Sequence, residues 1–249
     1  MINHIEKFLQ LLNESKNTVV LTGAGISTNA GIPDFRGPQG LYVSRRYDAE
    51  KIFDIDYFAK DPKPFYEFAY DFISLESTIK PTLTHQVLAT LEQKGKIKAI
   101  VTQNIDGLHQ KAGSQKVLEM HGSFLTSHCR SCKKSYDYDQ LKMMVFDKQI
   151  ARCSCQGVIK PDIVFFGENV QYYREAFELA QKADLFLVLG TSCAVYPAAS
   201  LPQVVTGKIV IVNHSKINLN MYNVILEIES DTDIFFKELM GSLESHSNK

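Results

Sequence analysis

Asn104, Asp106 and His121 are of types that move protons and hold polar ligands, and four cysteines are spaced to hold a metal. Asn104 and Asp106 belong to the run Thr102-Gln103-Asn104-Ile105-Asp106-Gly107-Leu108-His109, which follows the apolar segment Ala99-Ile100-Val101. Amide and carboxylate side chains crowded at a strand's C-terminal end are costly to bury unless they hydrogen-bond something polar, and a carboxamide or ribose would serve. Taken alone, the run reads equally as an Asn/Asp turn capping the next helix. His121 lies in Glu119-Met120-His121-Gly122 and again closes a short apolar run. An imidazole titrates near neutrality, which suits it to general-base work there. The case for His121 depends on its neighbours, because an isolated histidine is more often structural.

The cysteines form Cys129-x2-Cys132, an interval of twenty residues, then Cys153-x-Cys155. The first pair and the interval fit a structural Zn²⁺ site, while the second pair is one residue tighter than the usual spacing. Four thiolates close a tetrahedral shell, so such a zinc would hold a lobe together and would not catalyse. Cys193 stands apart in a small-residue loop and reads as buried. At the N-terminus, Ile5, Phe8, Leu9 and Leu12 make an amphipathic helix and not a signal peptide, with Asn3 and Glu6 as a capping box. The expected setting is therefore a reducing cytoplasm, where metal ligation is favoured over disulfides.

A third constellation is Gly23-Ala24-Gly25-Ile26-Ser27, continued by Gly31-Ile32-Pro33-Asp34-Phe35-Arg36-Gly37. The glycine turn leaves the apolar strand Thr18-Val19-Val20-Leu21, an arrangement that lets backbone N–H groups approach a phosphate. It is not the fingerprint of an ordinary dehydrogenase. Thr28 stands where a third glycine belongs, and no apolar strand precedes Asp48 or Glu50. Gly190-Thr191-Ser192 and Val212-Asn213-His214 end further strand candidates as cofactor loops do. Ile163-Val164-Phe165-Phe166-Gly167-Glu168 reads as a buried strand with a turn, or as an exposed edge that pairs with an extended peptide.

Helical and strand patterns alternate along most of the chain, which predicts an α/β fold with a largely parallel sheet. Strands are expected at 18–22, 98–102, 184–189 and 208–212, and helices at 84–94, 171–181 and 232–241. Two stretches break the rhythm. Residues 37–82 read as a long loop with helical pieces, and 124–160 carry the four clustered cysteines. Together they would form a second, smaller lobe, with ligands in the cleft between lobes. The length of 249 residues suffices for a large core. Apolar residues make up 45% and charged residues 22%, as in ordinary globular proteins. Lys+Arg (27) nearly balance Asp+Glu (28), which argues against a broad nucleic-acid-binding face. No apolar run approaches the roughly 20 residues of a membrane span.

These motifs, in this order, resemble the sirtuin family of NAD-dependent protein deacylases, over about Leu12 to Leu239: GAGIS, GIPDFRG, TQNID, the His-Gly pair, the four cysteines, KPDIVFFGE, LGTS, YPAA and VN. The resemblance implies a Rossmann-like parallel-sheet domain (1–36, 83–123 and 161–249), an insertion at 37–82 and a smaller inserted zinc-binding module at 124–160. It implies that Ala24, Gly25, Ser27 and Thr28 line the diphosphate and ribose region, with Gly23, Asp34 and Gly190 also at the cofactor. Phe35 and Arg36 would belong to a cofactor loop, Gln103 and Asn104 would contact the nicotinamide ribose, and Ile105 and Asp106 would hold the carboxamide. Thr191, Ser192, Asn213, His214, Asp231 and Thr232 would meet the adenosine half. Val164, Phe166, Gly167, Glu168 and Val195 would border an acyl-lysine peptide.

The implied reaction is attack of the acyl oxygen on the nicotinamide ribose, loss of nicotinamide, and proton removal from a ribose hydroxyl by His121. O-acyl-ADP-ribose and free lysine would be the products, with Asn104 and Asp106 completing the catalytic set. ADP-ribosyl transfer to protein and a non-catalytic NAD⁺-sensing module are the competing readings. Members that remove succinyl or malonyl groups carry a Tyr and an Arg three residues apart. Here Ala69 and Phe72 occupy those places, and a frame using Tyr66 leaves Ala69 where the Arg belongs. Uncharged acyl groups are therefore expected, with Arg45 and Arg46 the nearby cations that favour the other outcome.

Overall fold

The computed structural model describes residues 2–33, 48–76, 78–148, 150–217 and 219–247. Asp34, Phe35, Arg36, Arg45 and Arg46 lie outside them. Nine strands form two sheets among the described residues: β1 (Thr18–Thr22), β2 (Ala99–Thr102), β3 (Val117–Glu119), β4 (Gly122–Cys129), β5 (Ser135–Asp137), β6 (Ile159–Ile163), β7 (Leu185–Leu189), β8 (Lys208–Asn213) and β9 (Val224–Glu229). The large sheet has the order β3-β2-β1-β7-β8-β9, and all its pairings are parallel. The chain moves outward from β1 to β3 on one side and from β7 to β9 on the other. The reversal of direction opens a crevice at the carboxyl ends of β1 and β7, where ligands bind in such folds.

Both faces of this sheet are covered, which explains continuous apolar strands in place of alternating ones. Val20, Ile100, Leu187 and Val210 point toward the N-terminal helix Ile2–Glu14, the helix Leu83–Gln93 and Phe235 and Phe236 of the C-terminal helix Thr232–Ser247. Val19, Leu21, Val101, Val188 and Ile211 pack on the opposite side against Ala176 and Ala180 of the helix Tyr173–Lys182 and against Leu201. The N-terminal helix starts at Ile2, so Asn3 lies inside it and does not cap it.

The small sheet has the order β5-β4-β6 and is antiparallel. It does not stand on its own core. Phe124, Leu141, Cys153 and Ile163 share one apolar cluster with Ile52, Phe58, Phe65 and Ile73. The latter four come from the segment that read as a long loop with helical pieces, which are the helices Ala49–Ile52, Ile55–Lys60 and Lys63–Glu76. Phe65 and Phe72 both stack on Phe124. Strand β6 ends at Ile163, so the run Val164–Glu168 is a loop beyond a strand and not the strand itself. Pro161 is tolerated because β6 is an edge strand. No helix of the described residues is long and apolar enough to cross a membrane.

Candidate functional site

At the crevice the two turns leaving β1 and β7 interlock. Gly23 N–H donates to the Leu189 carbonyl and Gly25 N–H to the Gly190 carbonyl, at 3.2 and 2.8 Å. A Cβ on Gly25 would sit 2.8 Å from the Gly190 oxygen, and one on Gly190 (φ +56°) 2.6 Å from Ile26 N. The glycines thus let two backbones touch, and the contact consumes two N–H groups expected to face a phosphate. Ala24 is the amide of the turn not committed to it.

Asn104 and Asp106 are buried and tied into the floor of the crevice. Asn104 Nδ2 donates to the Gly23 carbonyl and to Ser27 Oγ, both at 3.1 Å. Ser27 Oγ donates to Asp106 Oδ2 at 2.7 Å. Asp106 Oδ1 accepts from Leu108 N at 2.9 Å, so it also caps the short helix Leu108–Lys111. The capping and ligand readings of this run are compatible. Gln103 Nε2 donates to Thr191 Oγ1 at 2.9 Å, bridging β2 to the turn after β7.

His121 Nδ1 lies 2.9 Å from the Gln103 carbonyl oxygen. A carbonyl only accepts, so the proton resides on Nδ1 and the lone pair on Nε2. Burial lowers the His121 pKa, opposed by the bond to Gln103. The ring is therefore neutral at pH 7 and offers Nε2 as a base.

A cleft of about 1220 Å³ runs through the crevice. Gly23, Ala24, Gly25 and Thr28 line it, as do Gly190, Thr191 and Ser192 from the facing turn. Asn213 and His214 after β8 and Asp231 and Thr232 after β9 form one end. Gln103, Asn104, Ile105 and His121 form the middle, and Val164, Phe166, Gly167, Glu168 and Val195 the other end. Ser27 and Asp106 lie behind this wall and orient Asn104. Phe53, Tyr173 and Tyr196 also line the cleft and were not anticipated. Tyr196 opens the YPAA motif, whereas Phe53 sits in a segment with no periodic signal.

The Val164–Glu168 loop has less free backbone than an open strand edge. Val164 N–H donates to the His121 carbonyl (2.8 Å), Phe166 N–H to the Phe53 carbonyl (2.7 Å) and Glu168 N–H to the Phe165 carbonyl (3.0 Å). Asp54 and Phe166 form an isolated parallel bridge.

Cys129, Cys132, Cys153 and Cys155 converge, with all four sulfurs within 4.8 Å of one another. Two Sγ–Sγ distances are 3.5 Å, against the roughly 3.8 Å edge that tetrahedral Zn–S bonds of about 2.3 Å require. The tight Cys-x-Cys is accommodated by Gln156 at φ +68° and by Gly157, where a Cβ would lie 2.6 Å from Cys129 Sγ. These residues fit a zinc ion.

Behind the floor sits a buried histidine pair: His109 closes the run that begins at Thr102, and His85 carries no signal in the sequence. The His85 and His109 ring centroids are 4.8 Å apart, and His109 Nε2 lies 3.0 Å from Thr22 Oγ1. Burial lowers the His85 pKa against the pull of Asp106 and Asp233. Burial and the neighbouring His85 hold His109 well below the usual value. The unfolded chain protonates near pH 6.5. Between that value and the folded-state values, only the unfolded state takes up these protons, so stability falls as pH drops through the window. The urea midpoint is expected to be lower at about pH 5.5 than at about 7.5, with a shallower fall in His109→Gln. An equal fall in the variant would assign the loss to other groups.

A switch-point crevice with a neutral, oriented imidazole, joined to a lobe with four convergent thiols, defines an α/β nucleotide-binding enzyme with a structural metal lobe. Residues 23–197 match the Sir2 family, and the chain belongs to that family. An NAD-dependent protein deacetylase of Thermotoga maritima is 49% identical over 215 residues, covering 84% of this chain and 86% of the relative. One of Sulfolobus acidocaldarius is 40% identical over 249 residues, covering 98% and 97%. Among solved structures, a Sir2 complex with deacetylated p53 peptide and 3′-O-acetyl ADP-ribose superposes with a TM-score of 0.89 at 44% identity, covering 96% of this chain and 98% of that one. A Sir2–p53 peptide–NAD⁺ complex gives 0.85 at 43%, with the same coverage.

Proposed function

We infer that this chain is an NAD-dependent protein deacetylase that releases lysine, nicotinamide and O-acetyl-ADP-ribose. The observation that carries this reading is His121. Its Nδ1 is fixed by the Gln103 carbonyl, and the ring lines the cleft where the dinucleotide turns meet the Val164–Glu168 loop.

When bound, NAD⁺ supplies a ribose carbon from which nicotinamide departs and hydroxyls that accept the acetyl group. Ala24, Gly25 and Thr28 hold the diphosphate and ribose region, and Thr191, Ser192, Asn213, His214, Asp231 and Thr232 the adenosine half. Asn104, oriented by Ser27 and the Gly23 carbonyl, faces the nicotinamide ribose. Ile105 faces the carboxamide end, and Asp106, behind the wall, supports it by holding Ser27 and Leu108 N. His121 Nε2 takes a proton from a ribose hydroxyl and holds it until water completes the release of lysine. Val164, Phe166, Gly167, Glu168 and Val195 border the acyl-lysine peptide. The four cysteines hold a zinc that keeps β4 and β6 in register and takes no part in the chemistry. The thiolates suit a reducing cytoplasm, and the partners are acetyl-lysine proteins, neither nucleic acid nor membrane.

The test is incubation with an acetyl-lysine peptide, with and without NAD⁺, and mass spectrometry of all products. NAD⁺-dependent loss of acetyl together with O-acetyl-ADP-ribose is expected. Nicotinamide release with an intact peptide and ADP-ribose mass added to protein would establish the transferase reading instead.

Acyl preference follows from the small lobe. Tyr66 is fully buried and its hydroxyl donates to the Ile159 carbonyl, so it cannot read an acyl carboxylate. Ala69 is buried too. A succinyl carboxylate placed there would meet neither a free Tyr66 hydroxyl nor an arginine at position 69, and a buried unpaired charge costs about 3–5 kcal/mol. The kcat/KM for acetyl-lysine is expected to exceed that for succinyl-lysine on the same peptide by about a hundredfold or more. Equal values would overturn the assignment.

A further inference from the structure

Lys160 lies on the edge strand β6 with 8% exposure, and no step of the chemistry uses it. An ammonium carries three protons, and all three are spent here. Its Nζ donates to the Ile163 carbonyl at 2.6 Å, to Glu168 Oε2 at 2.8 Å and to the Pro161 carbonyl at 3.3 Å. The same nitrogen sits 4.1 Å from the centre of the Phe165 ring. Burying a lysine is costly unless such partners converge on it. The charges around it are Glu168 and Asp162, which favour its protonation, and Arg130, which opposes it.

The placement of these partners matters more than their number. The Ile163 carbonyl opens the Val164–Glu168 loop and the Glu168 carboxylate closes it. Glu168 Oε2 also accepts from Phe165 N–H at 2.9 Å, inside the loop. One ammonium therefore ties both ends of the segment together. We propose that Lys160 is a positioning residue for peptide recognition, setting the conformation of the loop against which the acyl-lysine peptide lies. This rests on the peptide placement inferred above. Without the ammonium, Glu168 keeps the bond from Phe165 N–H but loses its cation, and the Ile163 carbonyl loses this donor, so the two ends of the loop are no longer joined. The tethers at Val164 and Phe166 remain, and the dinucleotide turns are untouched. The effect is thus confined to the peptide.

The test is steady-state kinetics on the full chain, varying acetyl-lysine peptide at saturating NAD⁺ and NAD⁺ at saturating peptide. Lys160→Met is expected to raise the peptide KM about tenfold or more, equivalent to about 1.4 kcal/mol, with the NAD⁺ KM unchanged. Lys160→Arg keeps the charge, but a planar fork cannot aim at three convergent acceptors, so it should fall between Met and wild type. A rise in the Met variant below about threefold, or an equal rise in the NAD⁺ KM, overturns the proposal. Should the Met variant not fold, the same threshold applies to Arg. Phe166→Ala, which removes an exposed ring (50%) from the cleft wall, tests the underlying placement. No change in its peptide KM overturns the placement and the proposal with it. A raised KM there with a normal Lys160→Met overturns the Lys160 proposal alone.

Discussion

His121→Ala is expected to lower deacetylation by about 10²–10⁴-fold while NAD⁺ still binds. The imidazole contributes a lone pair, fixed on Nε2 by the bond from Nδ1 to Gln103, and alanine contributes none. The cradle for the dinucleotide is built by other residues, the interlocked Gly23–Gly25 and Gly190 turns, so affinity for NAD⁺ should change little. The chain contains no tryptophan, which makes calorimetry the direct way to measure that affinity. The wild-type pH profile gives a second measurement. Burial lowers the His121 pKa, so the base stays active below its ordinary range and is lost only as pH falls through the lowered value. The acid limb of kcat/KM, which reports the free enzyme, should lie below about pH 6.5. Normal turnover in the alanine variant would remove His121 from the mechanism, and an acid limb above that pH would contradict the environment described for it.

Cys129→Ser is the second large effect. Cys129 is fully buried at the end of β4, and its sulfur lies 3.5 Å from that of Cys155. Structural zinc contributes an apparent binding energy of about 10–16 kcal/mol in small zinc-dependent folds, and that energy is folding energy. The wild type should hold one zinc per chain, and the variant should lose it and become sensitive to protease between β4 and β6. Deacetylation should fall by at least about tenfold, since removing even a residue that only orients a metal's ligands commonly costs that much. The route is structural: β4 begins at Gly122, next to His121, and pairs with Ile163 at the start of the peptide loop. Full activity in a zinc-free variant would sink this account.

The sequence was most legible where a strand is buried on both sides. The runs at β1, β2, β7 and β8 announce themselves because both faces are apolar. Strand β9 was missed because Glu227 and Glu229 interrupt it at the sheet's edge. Residues 37–82 read as a long loop with helical pieces, and the three helices between 48 and 76 were not bounded within it because aromatic residues, frequent there, carry weak helix propensity. Their helicity comes from packing against the small sheet, which is tertiary information. The site divides in the same way. Residues at strand ends, such as Asn104, His121 and Asn213, were visible because strand ends are where such folds place chemistry. His109 and Lys160 stand within runs that the sequence singles out, but their burial and partners, like those of His85, were not legible, since nothing in local sequence marks a buried polar group whose partners are distant or on the main chain.

The shared core of the small lobe also bears on how such a protein can be recombined. Phe124 stacks on Phe65 and Phe72, and Tyr66 bonds the main chain at Ile159, so the lobe is knitted from two separated stretches of chain. A chimera that exchanged only the cysteine-bearing stretch would set foreign residues against Phe58, Phe65 and Phe72. Both stretches must be inherited together, and one of their seams with the large sheet is the two-residue junction Met120-His121 between β3 and β4. Any graft that exchanges the small lobe therefore has one splice point beside His121.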